Sequence, residues 1–144
     1  MRKSIEQPAP AAPVNPAAGW RPWLWWSLAL AWMALIFVLS AQSSFDFVPT
    51  RWQVDPVSWT AHFGEYAVLA LLFWQALRHT ARFNPWAAPL AFVLALLYAI
   101  SDEWHQFYVP GRYADGRDVL VDAAGALAAL LLARKLLAYF PQRE

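Results

Sequence analysis

The chain has 144 residues, 60% of them hydrophobic and 17% aromatic, with 15% charged where an ordinary soluble domain carries about 25%. That length predicts a single domain, and a net charge of +1 without a basic stripe argues against a nucleic-acid partner. The lack of cysteine excludes disulfides, thiolate metal sites and cysteine nucleophiles.

Residues 1–19, "MRKSIEQPAPAAPVNPAAG", are rich in Pro and Ala and have little to bury, so they are expected to form a disordered tail. The remainder, 20–141, reads as one all-α domain, a four-helix transmembrane bundle with helices at about 22–40, 56–78, 85–107 and 118–139. Each apolar segment is close to the roughly 20 residues that span a bilayer as a helix, and none alternates strictly as a barrel strand would. The first begins "RPWLWWSLALAWMALIFVLS"; "VLSAQSS" after it is a passable signal cleavage site, but the long Trp-rich run favours a retained helix. The second opens at Asp55-Pro56 and the third at Asn84-Pro85, each offering an N-cap followed by Pro in the first turn. The fourth is rich in small residues, and Gly125 with Ala129 suits close helix packing.

Lys and Arg set the orientation. Arg2, Lys3, Arg21, Arg78, Arg82, Arg134, Lys135 and Arg143 fall on one side, and Arg51, Arg112 and Arg117 on the other. This bias places both termini in the cytoplasm. Trp20, Trp23, Trp25, Trp26 and Trp86 would then line the inner interface, and Trp52, Trp59 and Trp104 the outer one.

With that topology, polar residues from all four helices meet at the outer leaflet. The first helix ends at Ser40, Gln42 and Ser43; the second brings His62 and Glu65, three apart on one face. The third ends in "SDEWHQFYVPGR", with Asp102, Glu103, His105 and Gln106, and the fourth starts with Asp118, Asp122 and Gly125 on one stripe. Solvated helix ends account for Asp46, Asp115 and Arg117. They account less well for Glu65, about 13 Å along its helix from Pro56, or for Asp122, a turn inside Asp118. A carboxylate inside a membrane segment costs roughly 2.5–3.5 kcal/mol and usually faces a cavity or a partner. Asp102 and Glu103 also lie at a helix C-terminus, where the dipole disfavours anions by about 0.3–1 kcal/mol each. Arg112, brought back by the Pro-Gly turn, or a bound ion would relieve both. Arg112 suits either a salt bridge to Asp102, Glu103 or Asp118, or bidentate phosphate or carboxylate binding.

His62 either bonds a neighbouring helix or works with Glu65 as an acid/base pair; with Asp102, Glu103, His105 and Asp122 it also makes a divalent-cation site conceivable. His79 falls on the opposite loop and has no assigned role.

At these residues the sequence resembles the VanZ-like family of small integral membrane proteins. The blocks are "ALIFVLSAQSS", "HFGEYAVLALL" and "SDEWHQFYVPGRYADGRDVLVDAAG", which together cover most of Ala34 to Ala129. The family pattern falls on His62, Tyr66, Asp102, Glu103, Gln106, Arg112, Asp118 and Gly125. The chain departs from it at Ser58-Trp59, where many members have Asp-Lys, at Asp122, where many have Asn, and at Ala129, where a Gly is usual. The resemblance implies a cell-envelope context, and the family's namesake is associated with low-level resistance to the glycopeptide teicoplanin; it leaves the reaction open.

Three functions fit. In the first, a membrane enzyme processes an anionic lipid headgroup or a lipid-linked cell-wall precursor. Glu103 or Glu65 would be its general acid or base, His62 an assistant, and Asp102 with Asp118 the groups that orient them or hold a divalent ion. Arg112, Gln106, His105, Asp122 and Tyr66 would bind the substrate. In the second, the same pocket binds a lipid, a drug tail or a partner protein without turnover. A small proton-coupled transporter is the third; it fits less well, because the acids cluster at one face and no inverted repeat is visible.

Overall fold

The computed structural model describes residues 21–42, 56–80, 84–110, 112 and 115–139, and over them the chain is all-α. Four helices follow in order: α1 Arg21–Ser40, α2 Pro56–Arg78, α3 Ala87–Gln106 and α4 Gly116–Tyr139. The tail 1–19, Ser43 and the Asp55 cap lie outside the described residues.

The helix boundaries follow the apolar runs, with differences at the starts of α3 and α4. Asn84, expected as its N-cap, instead opens a 3-10 turn over Asn84–Trp86, and the α-helix begins at Ala87. Trp86 occupies the capping position and makes no side-chain cap bond. Pro89 sits comfortably just beyond, because the first N–H groups of a helix have no partner within it and proline forgoes none. At the other end the α4 helix starts two residues earlier than expected, and Asp115 explains why: its Oδ1 accepts a hydrogen bond from the Arg117 N–H at 2.9 Å. That is the bond an N-cap aspartate makes.

α2 is the central helix, packed against each of the other three and most extensively against α4. Its buried side chains, Tyr66, Leu69, Ala70, Phe73 and Leu77, form one stripe. α3 answers with Ala87, Ala91, Ala95 and Ala99, spaced four apart and all buried. Small residues at that spacing let backbones approach, so side chains of α2 reach into the seam. α2 and α4 approach closely at Gly125. A β-carbon there would collide with the Phe63 carbonyl oxygen and lie 2.9 and 3.0 Å from the carbonyl carbon and Cα of that residue. Only glycine permits this separation.

α1 is the outlying helix; among its described side chains, Ala29, Ile36 and Ser40 are the buried ones. Two hydrogen bonds fix its rotation. The Trp32 indole N–H donates to the Glu65 carbonyl at 2.9 Å, and the Tyr98 hydroxyl donates to the Met33 carbonyl at 2.6 Å.

Two helical stretches, Pro22–Ser40 and Ala87–Gln106, are long and apolar enough to cross a membrane. Four had been expected. α2 and α4 have the length but carry more polar groups along it: His62, Glu65 and Gln75 on one, Asp118, Asp122, Arg134 and Lys135 on the other.

Candidate functional site

Polar side chains from α1, α2, α3 and α4 converge at the end of the bundle where α3 stops and α4 starts. α2 contributes His62, which is 6% exposed, and α4 contributes Asp122, 2% exposed. The imidazole Nδ1 lies 3.0 Å from Asp122 Oδ1, while Nε2 lies 3.9 Å from Asp118 Oδ2, one helical turn nearer the end. The spacing of four places both carboxyls on one face of α4, so a single histidine sits between them. Gly125, a turn further in, holds α4 close enough to α2 for this contact.

α3 builds the other half. Asp102 and Gln106 are four apart, and the Gln106 Nε2 donates to Asp102 Oδ2 at 3.0 Å. The same oxygen accepts from the Ser40 hydroxyl at 2.7 Å, which ties the end of α1 to α3. On its other side the Gln106 Oε1 accepts from Arg112 Nη2 at 2.8 Å. Arg112 is therefore brought back over the cluster, but its partner is an amide. Of the two alternatives for Arg112, the salt bridge to Asp102, Glu103 or Asp118 does not form; among the described residues Arg112 makes no ion pair. Gln106 explains the difference: its amide donates to a carboxylate and accepts from a guanidinium at once, relaying one to the other.

Glu103 is anchored by the backbone N–H of Asp115, which donates to its Oε1. Glu65 lies within electrostatic range of His62, Asp102, Asp122 and Arg112. Tyr66, fully buried, packs against Tyr98 with ring centroids 6.2 Å apart. Two buried oxygens in this region, the Tyr66 hydroxyl and Asp102 Oδ1, have no hydrogen-bond partner among the described residues. His105 turns elsewhere: its ring stacks on Phe37 of α1, with centroids 4.3 Å apart, and its Nε2 is unpaired among the described residues.

Beside Glu103 an apolar groove of about 410 Å³ runs between α3 and α4, lined otherwise by Ile100, Trp104, Phe107, Tyr108 and Val119. A polar cluster and an apolar groove thus share one carboxyl-bearing wall. Among the described residues, no three of His, Asp and Glu come together as a group able to hold a metal ion. The divalent-cation alternative has no ligand set there.

Two contributors carried no assigned role in the sequence. Asp115 was assigned to solvent, although an aspartate directly before Gly-Arg-Asp at a helix start is an N-cap signal. Ser40 was placed at the right end, but nothing in its neighbours announced Asp102 as its partner.

The fold and the buried polar cluster define a small all-helical protein with two membrane-length helices. A model of the VanZ/LLP1 family matches residues 25–138, and the chain belongs to that family. No curated protein and no solved structure gave a match.

Proposed function

We propose that the chain is a multi-pass cell-envelope membrane protein whose polar chamber, on the extracytoplasmic side, binds or processes an anionic lipid headgroup or a lipid-linked cell-wall precursor. In this reading all four helices span, with both termini cytoplasmic, and the link of the family to glycopeptide resistance reflects an action on such a lipid. The exposed surfaces support the span. Leu120 of α4 is 71% exposed, and Leu97 of α3, Phe63 of α2 and Val38 of α1 also point outward. Apolar surface spread over every helix suits acyl chains and would be a liability in water. At 1.5 Å per residue, α2 and α4 are each about 35 Å long, enough for a hydrocarbon core of about 30 Å. Their ionisable groups in the chamber are turned inward, as such groups in membrane segments are.

The observation that carries the functional reading is the sharing of one wall by the chamber and the groove. Glu103 lines the apolar groove, while the Arg112–Gln106–Asp102 relay and the Asp118–His62–Asp122 sandwich lie inside. A lipid whose tail follows Trp104 and Val119 would bring its headgroup to Glu103 and Arg112. Asp102 Oδ2 and Asp122 Oδ1 are bonded within the protein, and most of the Arg112 N–H fork is open among the described residues, so it can take an anionic oxygen. His62 with Asp122 and Glu103 are then the groups placed to move a proton.

The test is binding and turnover of an isoprenoid-linked pyrophosphate sugar by purified protein in detergent. Arg112→Gln is expected to weaken binding at least about tenfold, the scale of losing a hydrogen bond to a charged group. Glu103→Gln separates the two forms of the reading: an enzyme loses turnover and retains binding, whereas a binder is unaffected by it and shows no turnover at all. Wild-type binding by Arg112→Gln would sink both.

A further inference from the structure

At the opposite end of the bundle lies a second, unassigned cavity of about 310 Å³, between the end of α2, the start of α3 and the end of α4. Two arginines line it, Arg78 from α2 and Arg134 from α4. Neither is paired with a carboxylate among the described residues. Arg78 is not left to wander: its guanidinium carbon sits 5.2 Å from the centroid of the Trp74 ring, and Trp74 is itself buried. A cation–π contact of this kind fixes the guanidinium while leaving its N–H groups free to donate. The rest of the lining is apolar, from Trp74, Leu137, Pro85, Ala88 and Pro89. Ala88 and Pro89 belong to the first turn of α3, whose N-terminal N–H groups have no side-chain cap. The positive end of that helix adds to the two arginines.

We infer that this cavity binds the phosphodiester of an anionic phospholipid from the leaflet at that end, with the phosphate between Arg78 and Arg134 and the glycerol and first acyl carbons on Trp74 and Leu137. The charge and the lining together select this ligand. Two unpaired guanidiniums suit one phosphate, since each can donate in a planar fork. The apolar floor favours a phosphate that carries acyl chains over a free one. Basic pockets between membrane helices take anionic headgroups for these reasons. The site is on the far side of the bundle from Arg112 and is independent of what the chamber binds. It uses only the reading that the bundle spans a bilayer. A lipid held here would clamp α2 to α4 at one end, as Gly125 lets them meet toward the other.

The experiment is native mass spectrometry of the full chain in detergent, titrated with phosphatidylglycerol, phosphatidylcholine and inorganic phosphate in parallel. Phosphatidylglycerol is expected to bind more tightly than phosphatidylcholine. The preference should fall about fivefold for each arginine removed in Arg78→Gln and Arg134→Gln, with Arg134→Lys, which keeps the charge, losing less. Arg134 is exposed, so its variants are not expected to unfold the protein, and a melting curve for each checks that. Equal binding of the two lipids would overturn the inference. So would inorganic phosphate that competes as well as the lipid, since the site would then be one for free anions. A preference lost in Arg112→Gln and retained in the Arg78 and Arg134 variants would place the lipid in the chamber and also overturn it.

Discussion

The two halves of the bundle use one helix geometry for two kinds of interior. Along α3, Ala87, Ala91, Ala95 and Ala99 form the buried seam, and the next residues on the same face are Asp102, Glu103 and Gln106. Along α2, Leu77, Phe73 and Leu69 give way to Tyr66 and then His62. The stripe is continuous and the chemistry changes on it. In the apolar half, helices are held by close contact and shape between small and apolar side chains. In the polar half they are held by hydrogen bonds whose loss leaves an unpaired group out of water. Substitutions in the two halves should therefore fail in different ways.

The largest effect is expected where the halves join. Gly125→Ala places a methyl group on the Phe63 carbonyl, with backbone on both sides and no side chain to swing away. A loss of about 3 kcal/mol is expected, at the upper end of the overpacking range, read as a lowered melting temperature in detergent. Because Asp122 is less than one turn away, α4 should also shift from α2 and lengthen the His62–Asp122 contact. A melting temperature equal to that of the parent would mean that the two helices are farther apart than the structure has them.

Next comes the polar half itself. Asp122→Ala removes the 3.0 Å partner of His62, at a cost of about 1–3 kcal/mol for the buried nitrogen left unpaired. Asp122→Leu, which restores volume, should be no better, while Asp122→Asn keeps an oxygen for the imidazole and should recover most of the loss. A double-mutant cycle with His62→Ala checks this: the coupling should reach about 1–3 kcal/mol, and none would place the two side chains apart.

The apolar half gives the contrast. Leu69 is fully buried, and Leu69→Ala leaves a cavity worth about 2 kcal/mol at 24 cal/mol per Å³. Here restored volume should be enough: Leu69→Met is expected to lose less than about 1.5 kcal/mol. If Leu69→Met were as damaging as Leu69→Ala, or if Asp122→Leu were harmless, the division of the bundle into two interiors would fail.

Much of this was legible in the residues, for reasons that differ along the chain. The helices were readable because the apolar runs are long and Pro56 and Pro85 mark where two of them begin. The start of α3 was not, because Pro85 fits the first turn of an α-helix and a 3-10 turn equally well. That His62, Asp118 and Asp122 fall at one end of the bundle was readable from spacing and chain direction; that the imidazole lies between the two aspartates, where Glu65 had been its expected companion, was not. Nor were the partners of Ser40 and Arg112. They depend on how α1 and α3 are rotated, which the Trp32 and Tyr98 hydrogen bonds to backbone carbonyls set, and no local pattern encodes those. His105 shows the same limit: one residue before Gln106, it faces Phe37, because successive helical positions point about 100° apart.

The smallest expected effect is the most informative about the polar cluster. Tyr66 is wholly buried, and its hydroxyl has no hydrogen-bond partner among the described residues although Asp102, Asp122 and Glu65 are within electrostatic range. An unsatisfied buried hydroxyl is a standing cost, so Tyr66→Phe should leave the melting temperature unchanged or raise it, by the equivalent of up to about 1 kcal/mol. The ring, which packs on Tyr98, stays in place. Two outcomes then separate. A variant that melts like the parent but binds the lipid-linked precursor about tenfold more weakly assigns the hydroxyl to the ligand. A variant that melts lower by more than about 1 kcal/mol shows that the hydroxyl contributes to stability as it stands, through a partner other than the described side chains.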